Sequence, residues 1–106
     1  MLFRSGREHD VPCDAVFAAN DLLAIGAMTA LRAAGRRIPD DVAVAGFDDI
    51  PAAALMHPAL TTVGRSEQAI GRFAAELLIA RLDGPRADRP GRAYELPFHL
   101  VLRDSA

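Results

Sequence analysis

Lysine is absent from the 106 residues, and the twelve basic side chains, all arginine, are scattered along the chain. At a net charge of −2 and a pI near 5.8, the chain lacks the clustered positive charge that a nucleic-acid or anionic-membrane surface needs. The 21 alanines beside those arginines point to a GC-rich coding bias, not to a binding surface. Cys13 is the only cysteine, which excludes an internal disulfide and a cysteine-rich metal site. It reads as a partly buried, reduced thiol. No apolar run approaches the roughly 18–20 residues of a membrane span. The opening MLFRSGREHD has no apolar signal-peptide core, so a cytoplasmic location is expected. There is no glycine-rich phosphate loop after a strand and no G-x-S-x-G elbow. His9, His57 and His99 fit no zinc spacing.

What is present suits one small α/β domain, half of it apolar. Residues 1–14 read as an irregular opening. Residues 15–19 form a short strand candidate and residues 21–34 a helix, with Gly35 past its end and Pro39 blocking continuation. That helix is apolar nearly all round, which predicts packing on two sides. VAVAGF (residues 42–47) does not alternate, as suits a parallel strand covered on both faces. Strand, helix and strand within some 33 residues make a βαβ unit with a right-handed crossover. IPAAALM makes a short helix with Pro51 in its first turn, and LTTV a brief third strand. Residues 67–83 carry Ile70, Phe73, Ala74, Leu77 and Leu78 on one helical face, with Ser66 as N-cap and Gly84-Pro85 as stop. After a loop over residues 84–92, Tyr94, Leu96, Phe98, Leu100 and Leu102 alternate, which predicts a half-buried closing strand bent at Pro97.

The chemistry concentrates at two strand ends. Parallel sheets bind ligands beyond the carboxyl ends of their strands, and two strands here end in Asn20-Asp21 and Asp48-Asp49. Neighbouring strands lie about 4.8 Å apart, so Asn20 and Asp48 are expected on one rim. An amide that both donates and accepts, beside a carboxylate that accepts twice, suits the vicinal hydroxyls of a sugar or nucleoside. Phe47 would stack on a ring or wall the pocket. The competing reading is helix capping, because Asp and Asn are preferred N-caps and both pairs precede helices. On that reading Asp21 and Asp49 are the caps and Asn20 or Asp48 the ligands. Asp48-Asp49 is also a candidate Mg²⁺ site, lacking an identifiable third ligand. Thr61 and Thr62 read as ordinary strand residues unless their strand crosses near the pocket.

DAVFAANDLLAIGAMTALRAAGRRIPDDVAVAGFDDIP, followed by HPALTTV and later by RAYELPFHLVLRDS, resembles the LacI/GalR family of bacterial transcription regulators. The resemblance covers about residues 14–105. It implies a partial type I periplasmic-binding-protein-like fold, with a Rossmann-like parallel sheet and flanking helices. Residues 15–60 and 92–104 would belong to the C-terminal subdomain, and helix 66–83 to the N-terminal one. It also implies that Asn20 and Asp48 bind a small effector, with Phe47, Arg65, Glu67 and Ile70 near the cleft. Ile25, Leu55 and Met56 match positions of the family's homodimer interface; plain core packing is the other reading of those three. The expected role is effector binding, most simply of a sugar, in a regulator that couples effector to operator affinity, with no enzymatic activity, metal or cofactor. Operator DNA would be read by a helix-turn-helix not found in these residues, and the chain is expected to be a fragment. A periplasmic-type sugar-binding protein, a Mg²⁺-dependent receiver-like module and a non-functional, poorly stable remnant are the alternatives.

Overall fold

In the computed structural model, which describes residues 12–84 and 90–106, the apolar runs become short strands and the segments between them helices. In chain order these are β1 (Ala15–Phe17), α1 (Asp21–Ala33), β2 (Ala43–Asp48), α2 (Pro51–Leu55), β3 (Thr61–Arg65), α3 (Glu67–Leu82) and β4 (Phe98–Val101). The strands lie side by side in the order β1-β2-β3-β4. β1 pairs with β2 in parallel register, Ala15 opposite Ala43 and Phe17 opposite Ala45, and β2 pairs with β3 in parallel, Ala45 opposite Thr61 and Asp48 opposite Gly64. Most of the predicted opening loop, His9 included, and residues 85–89 of the later loop lie outside the described residues.

The described residues divide into two compact units, residues 12–64 with His99–Ala106, and Arg65–Phe98. In the first, α1 packs on β1 and β2. Ala24, Met28 and Leu31 of α1 meet Val42, Val44, Ala53 and Leu60 in the buried core. Opposed residues of a sheet share a face, so Val44, Gly46, Thr62 and Gly64 line the covered one, and all four are buried. The other face carries Phe17, 68% exposed, with Ala45, Phe47 and Val63 partly covered. α1 is therefore packed on one side among the described residues, and not on two: Leu22 and Leu23 are exposed. Its C-terminal end is closed by Gly35 at φ +74, with Gly35 N–H donating to the Arg32 carbonyl and Arg36 N–H to the Leu31 carbonyl, the Schellman arrangement.

The closing strand departs from expectation. β4 covers only Phe98–Val101, starting just after Pro97. Its alternating apolar residues point away from the core, Phe98, Leu100 and Leu102 being 71%, 59% and 72% exposed. The opposite parity faces in: Val101 lies close beside Gly64, Arg103 is partly buried and Ser105 fully so. Period-two patterning identifies a strand but not which face its sheet covers. Cys13 also differs from expectation, being exposed, with its thiol donating to the Ala15 carbonyl at 3.0 Å.

In the second unit, Ser66 caps α3 by accepting from Ala69 N–H at 3.2 Å. The Phe73 and Tyr94 rings meet edge to face, centroids 5.1 Å apart. None of its α3 residues is fully buried; Ile70, Phe73 and Leu77 are partly covered, while Ala74 and Leu78 of the predicted face are exposed.

The turn leading into β2 is pinned by Asp41. Its carboxylate accepts from Arg37 Nη2 at 2.6 Å, from Nε at 3.1 Å and from the Arg37 backbone N–H at 2.7 Å. Those side-chain bonds, then the backbone bond, hold the Asp41 carboxyl at about 2, below its ordinary 3.8. A depressed carboxyl contributes stability above the ordinary value and loses it as pH falls towards the folded one. An NMR titration at low salt is therefore expected to show Asp41 with a midpoint near 2. In Arg37→Ala that midpoint should return towards 3.8. Because the Arg37 side chain is 71% exposed, added salt should shrink the difference. An unchanged midpoint in the variant would contradict this account.

Candidate functional site

β1 and β2 are parallel and in register, so the chain leaves both at the same end of the sheet. Asn20 lies three residues past Phe17, and Asp48 three past its partner Ala45. Both predicted ligands therefore lie on the carboxyl rim, where open parallel sheets bind ligands.

The capping assignment differs from the expected one at both strand ends. Asn20, in extended backbone, is the N-cap of α1, its Oδ1 accepting from Leu23 N–H at 2.9 Å. That bond uses the carbonyl oxygen and not the amide NH₂ group. Asp21 stands inside the first turn, fully buried, and caps nothing. Asp49 caps nothing either: the N-cap of α2 is Ile50, which makes no side-chain capping bond, with Pro51 next. The physical reason is tertiary. At Asp21 the carboxylate faces the sheet, where two donors from other elements await it.

Those donors form a closed network. Thr62 Oγ1 donates to Asp21 Oδ1 at 2.5 Å, and Ile50 N–H donates to Asp21 Oδ2 at 2.8 Å. Thr62 Oγ1 also accepts from Asp49 N–H, at 3.4 Å. The Asp49 carboxylate accepts from Arg103 Nη2 at 2.7 Å, and Arg103 Nη1 donates to the Leu60 carbonyl at 2.9 Å. Among the described residues no buried side-chain nitrogen or oxygen lacks a partner, as a low-dielectric polar cluster requires. Gly46 makes room for it: a Cβ there would strike the Asp21 carboxylate and lie 3.2 Å from both Asp21 Cα and Ala24 Cβ.

Above this network the backbone is strained. Asp48 has φ +108 and Asp49 φ +53, both in the region that favours glycine. Such conformations cost about 1–3 kcal/mol each and gather where surrounding structure enforces them, often at binding sites. Phe47 and Asp48 are partly buried. Arg65, Glu67 and Ile70 belong to the second unit: Arg65 ends β3, Glu67 opens α3, and Ile70 follows on its first turn. Arg65 and Glu67 are exposed and Ile70 is partly covered. Of the three expected interface residues, Leu55 is 85% exposed, while Ile25 and Met56 pack partly against the core. The described residues hold no group of three His, Cys, Asp or Glu side chains placed for a metal ion. The Asp49 carboxylate is already joined to a cation, Arg103.

The sequence marked Thr62 only on the condition that its strand crosses near the pocket, which it does, and assigned Arg103 no role. Only the fold brings Thr62 within 2.5 Å of Asp21, 41 residues away, and Arg103 within 2.7 Å of Asp49, 54 residues away.

The model of the periplasmic-binding-protein-like domain matches residues 2–106. The HTH-type transcriptional regulator CelR of Thermobifida fusca is 45% identical over 92 residues, 87% of this chain and 26% of CelR. A lactose operon repressor of Rhizobium radiobacter is 40% identical over 97 residues, 92% of this chain and 83% of that protein. A solved complex of the regulator CelR with cellobiose superposes with a TM-score of 0.80 at 43% identity, over 90% of this chain and 28% of that one. The chain thus spans about a quarter of the length of CelR. It is a member of the periplasmic-binding-protein-like domain family, from the branch of the LacI-type transcriptional regulators.

Proposed function

We propose that the carboxyl rim of this sheet holds a small polyhydroxylated effector, a sugar, and that the chain is part of the effector-binding region of a LacI-type regulator. The observation that carries this reading is the consecutive pair Asp48 and Asp49 at positive φ on a parallel-strand end, beside the start of α1. Asp48 accepts from sugar hydroxyls, the Asn20 amide donates to one, and Phe47 offers an apolar wall. The division of the chain at Arg65 supports assigning α3 to the other subdomain. CelR's complex with cellobiose supports a sugar as the ligand class.

In the whole regulator, effector and operator affinities are linked through the subdomain orientation each favours, without covalent chemistry. DNA is read by a helix-turn-helix outside these residues, in a cytoplasmic protein. Leu55, with Ile25 and Met56, contributes to a homodimer contact; an exposed leucine beside partly covered neighbours supports that. No helix among the described residues is long and apolar enough to cross a membrane.

Calorimetric titration with cellobiose and lactose tests the site. Asp48→Ala is expected to weaken binding roughly 100-fold and Asn20→Ala roughly tenfold, the scale of lost hydrogen bonds to charged and neutral groups. Mg²⁺ should change nothing. Stabilisation by Mg²⁺, with Asn20→Ala silent and neither sugar bound, would overturn the proposal.

A further inference from the structure

We infer that Arg103 and Asp49 are positioning residues for the effector site: their ion pair holds the strand-end turn in the conformation that presents Asp48. The inference rests on the reading of Asp48 as an effector ligand.

Two consecutive non-glycine residues at positive φ do not persist by local preference. Three bonds reach this turn from elsewhere in the chain. Ile50 N–H is held by Asp21 of α1, and Asp49 N–H by Thr62 of β3 at a long 3.4 Å. The Asp49 side chain is held by Arg103 at 2.7 Å. This last is an ion pair as well as a hydrogen bond, between side chains 19% and 29% exposed. Arg103 is itself fixed. Its Nη1 is on the Leu60 carbonyl at 2.9 Å, and its backbone N–H donates to Thr61 Oγ1 at 2.9 Å. Two residues on, Ser105 anchors the same segment: its Oγ donates to the Val44 carbonyl at 2.6 Å and accepts from Thr61 N–H at 2.8 Å.

The guanidinium thus bridges the start of β3 and the turn after β2, a task for a planar fork with two donating ends. A lysine would have to serve both acceptors from one nitrogen instead of two ends of a planar fork. Asp48 and Asp49 are consecutive, so the bond that fixes the Asp49 side chain also fixes the backbone from which Asp48 projects. The closing segment of the chain is in this way tied mechanically to the effector rim.

The test compares wild type with Arg103→Met, Arg103→Lys and the milder Asp49→Asn. Three measurements are made on each: the three-bond HN–Hα couplings of Asp48 and Asp49, which read φ; the affinity for cellobiose and lactose; and the thermal midpoint. In Arg103→Met the couplings should move towards ordinary negative-φ values and affinity should fall roughly tenfold in protein that is still folded. Arg103→Lys should recover only part of this. If Arg103→Met does not fold, Asp49→Asn carries the same comparison. Unchanged couplings with unchanged affinity would overturn the inference. So would an affinity loss that only tracks the unfolded fraction, which a purely structural role predicts. The underlying functional reading fails differently: wild type itself would then bind neither disaccharide.

Discussion

Gly46→Ala should destabilise the protein by roughly 2.5–6 kcal/mol. The added Cβ meets the Asp21 carboxylate, with Asp21 Cα and Ala24 Cβ at 3.2 Å behind it. The carboxylate cannot swing away without giving up Thr62 and Ile50, and the backbone of α1 stands behind it. Relief therefore requires α1 to lift from β2, the principal contact of the core. Overpacking of this kind costs roughly 1–3 kcal/mol, and displacing a buried carboxylate from its charge-assisted bonds adds roughly 1.5–3 kcal/mol. At about 4–8 °C per kcal/mol for a domain of this size, the thermal midpoint should fall by tens of degrees. The measurement is a denaturant or thermal melt of the 106-residue chain or of any longer form that carries it. Gly26→Ala is the control, since a Cβ there meets nothing within 4 Å. Equal melts for the two variants would show that α1 and β2 do not approach as described.

Asp21→Ala is the second large effect, at roughly 3–6 kcal/mol. It removes two bonds to a charged acceptor, each worth about 1.5–3 kcal/mol, and leaves Ile50 N–H and the Thr62 hydroxyl without their partner. Thr62→Val, nearly isosteric, should cost roughly 2–4 kcal/mol, because it strands one oxygen of a fully buried carboxylate and removes the acceptor of Asp49 N–H. The double variant should cost less than the sum by at least about 1 kcal/mol, the mark of residues in one network. Strict additivity, or a loss under about 0.5 kcal/mol in Asp21→Ala, would refute the network. Both single variants should also disturb the Asp48-Asp49 turn, since Asp21 and Thr62 hold its backbone N–H groups. Stability and effector affinity should therefore fall together here. In Asp48→Ala affinity should fall by more than any change in stability accounts for.

That separation bears on how such a site works. The side chains proposed to touch the effector are few. Beneath them lies a layer bonded within the fold: Asp21, Thr62, Asp49 and Arg103. This layer keeps two aspartates in a backbone conformation they would otherwise leave. A binding rim needs its ligating groups fixed before the ligand arrives, since ordering them afterwards subtracts from affinity.

The sequence by itself determined the order of elements, the parallel βαβ start, the ends of α1 and α3 and the family. These depend on local signals: Gly35 past a helix end, Ser66 before one, Pro51 at a first turn, and a non-alternating VAVAGF. It also marked Asn20-Asp21 and Asp48-Asp49 as the polar strand ends. Which member of the first pair caps α1 and which is buried was a matter for the tertiary structure, because a cap and a core carboxylate carry the same local pattern. The decisive partners, Thr62 and Ile50, lie far along the chain. The facing of β4 was likewise undetermined, since alternation is symmetric between two faces and only the covering layer breaks the tie. Arg103 reached its role through a contact spanning 54 residues, and no window of sequence contains both ends of it.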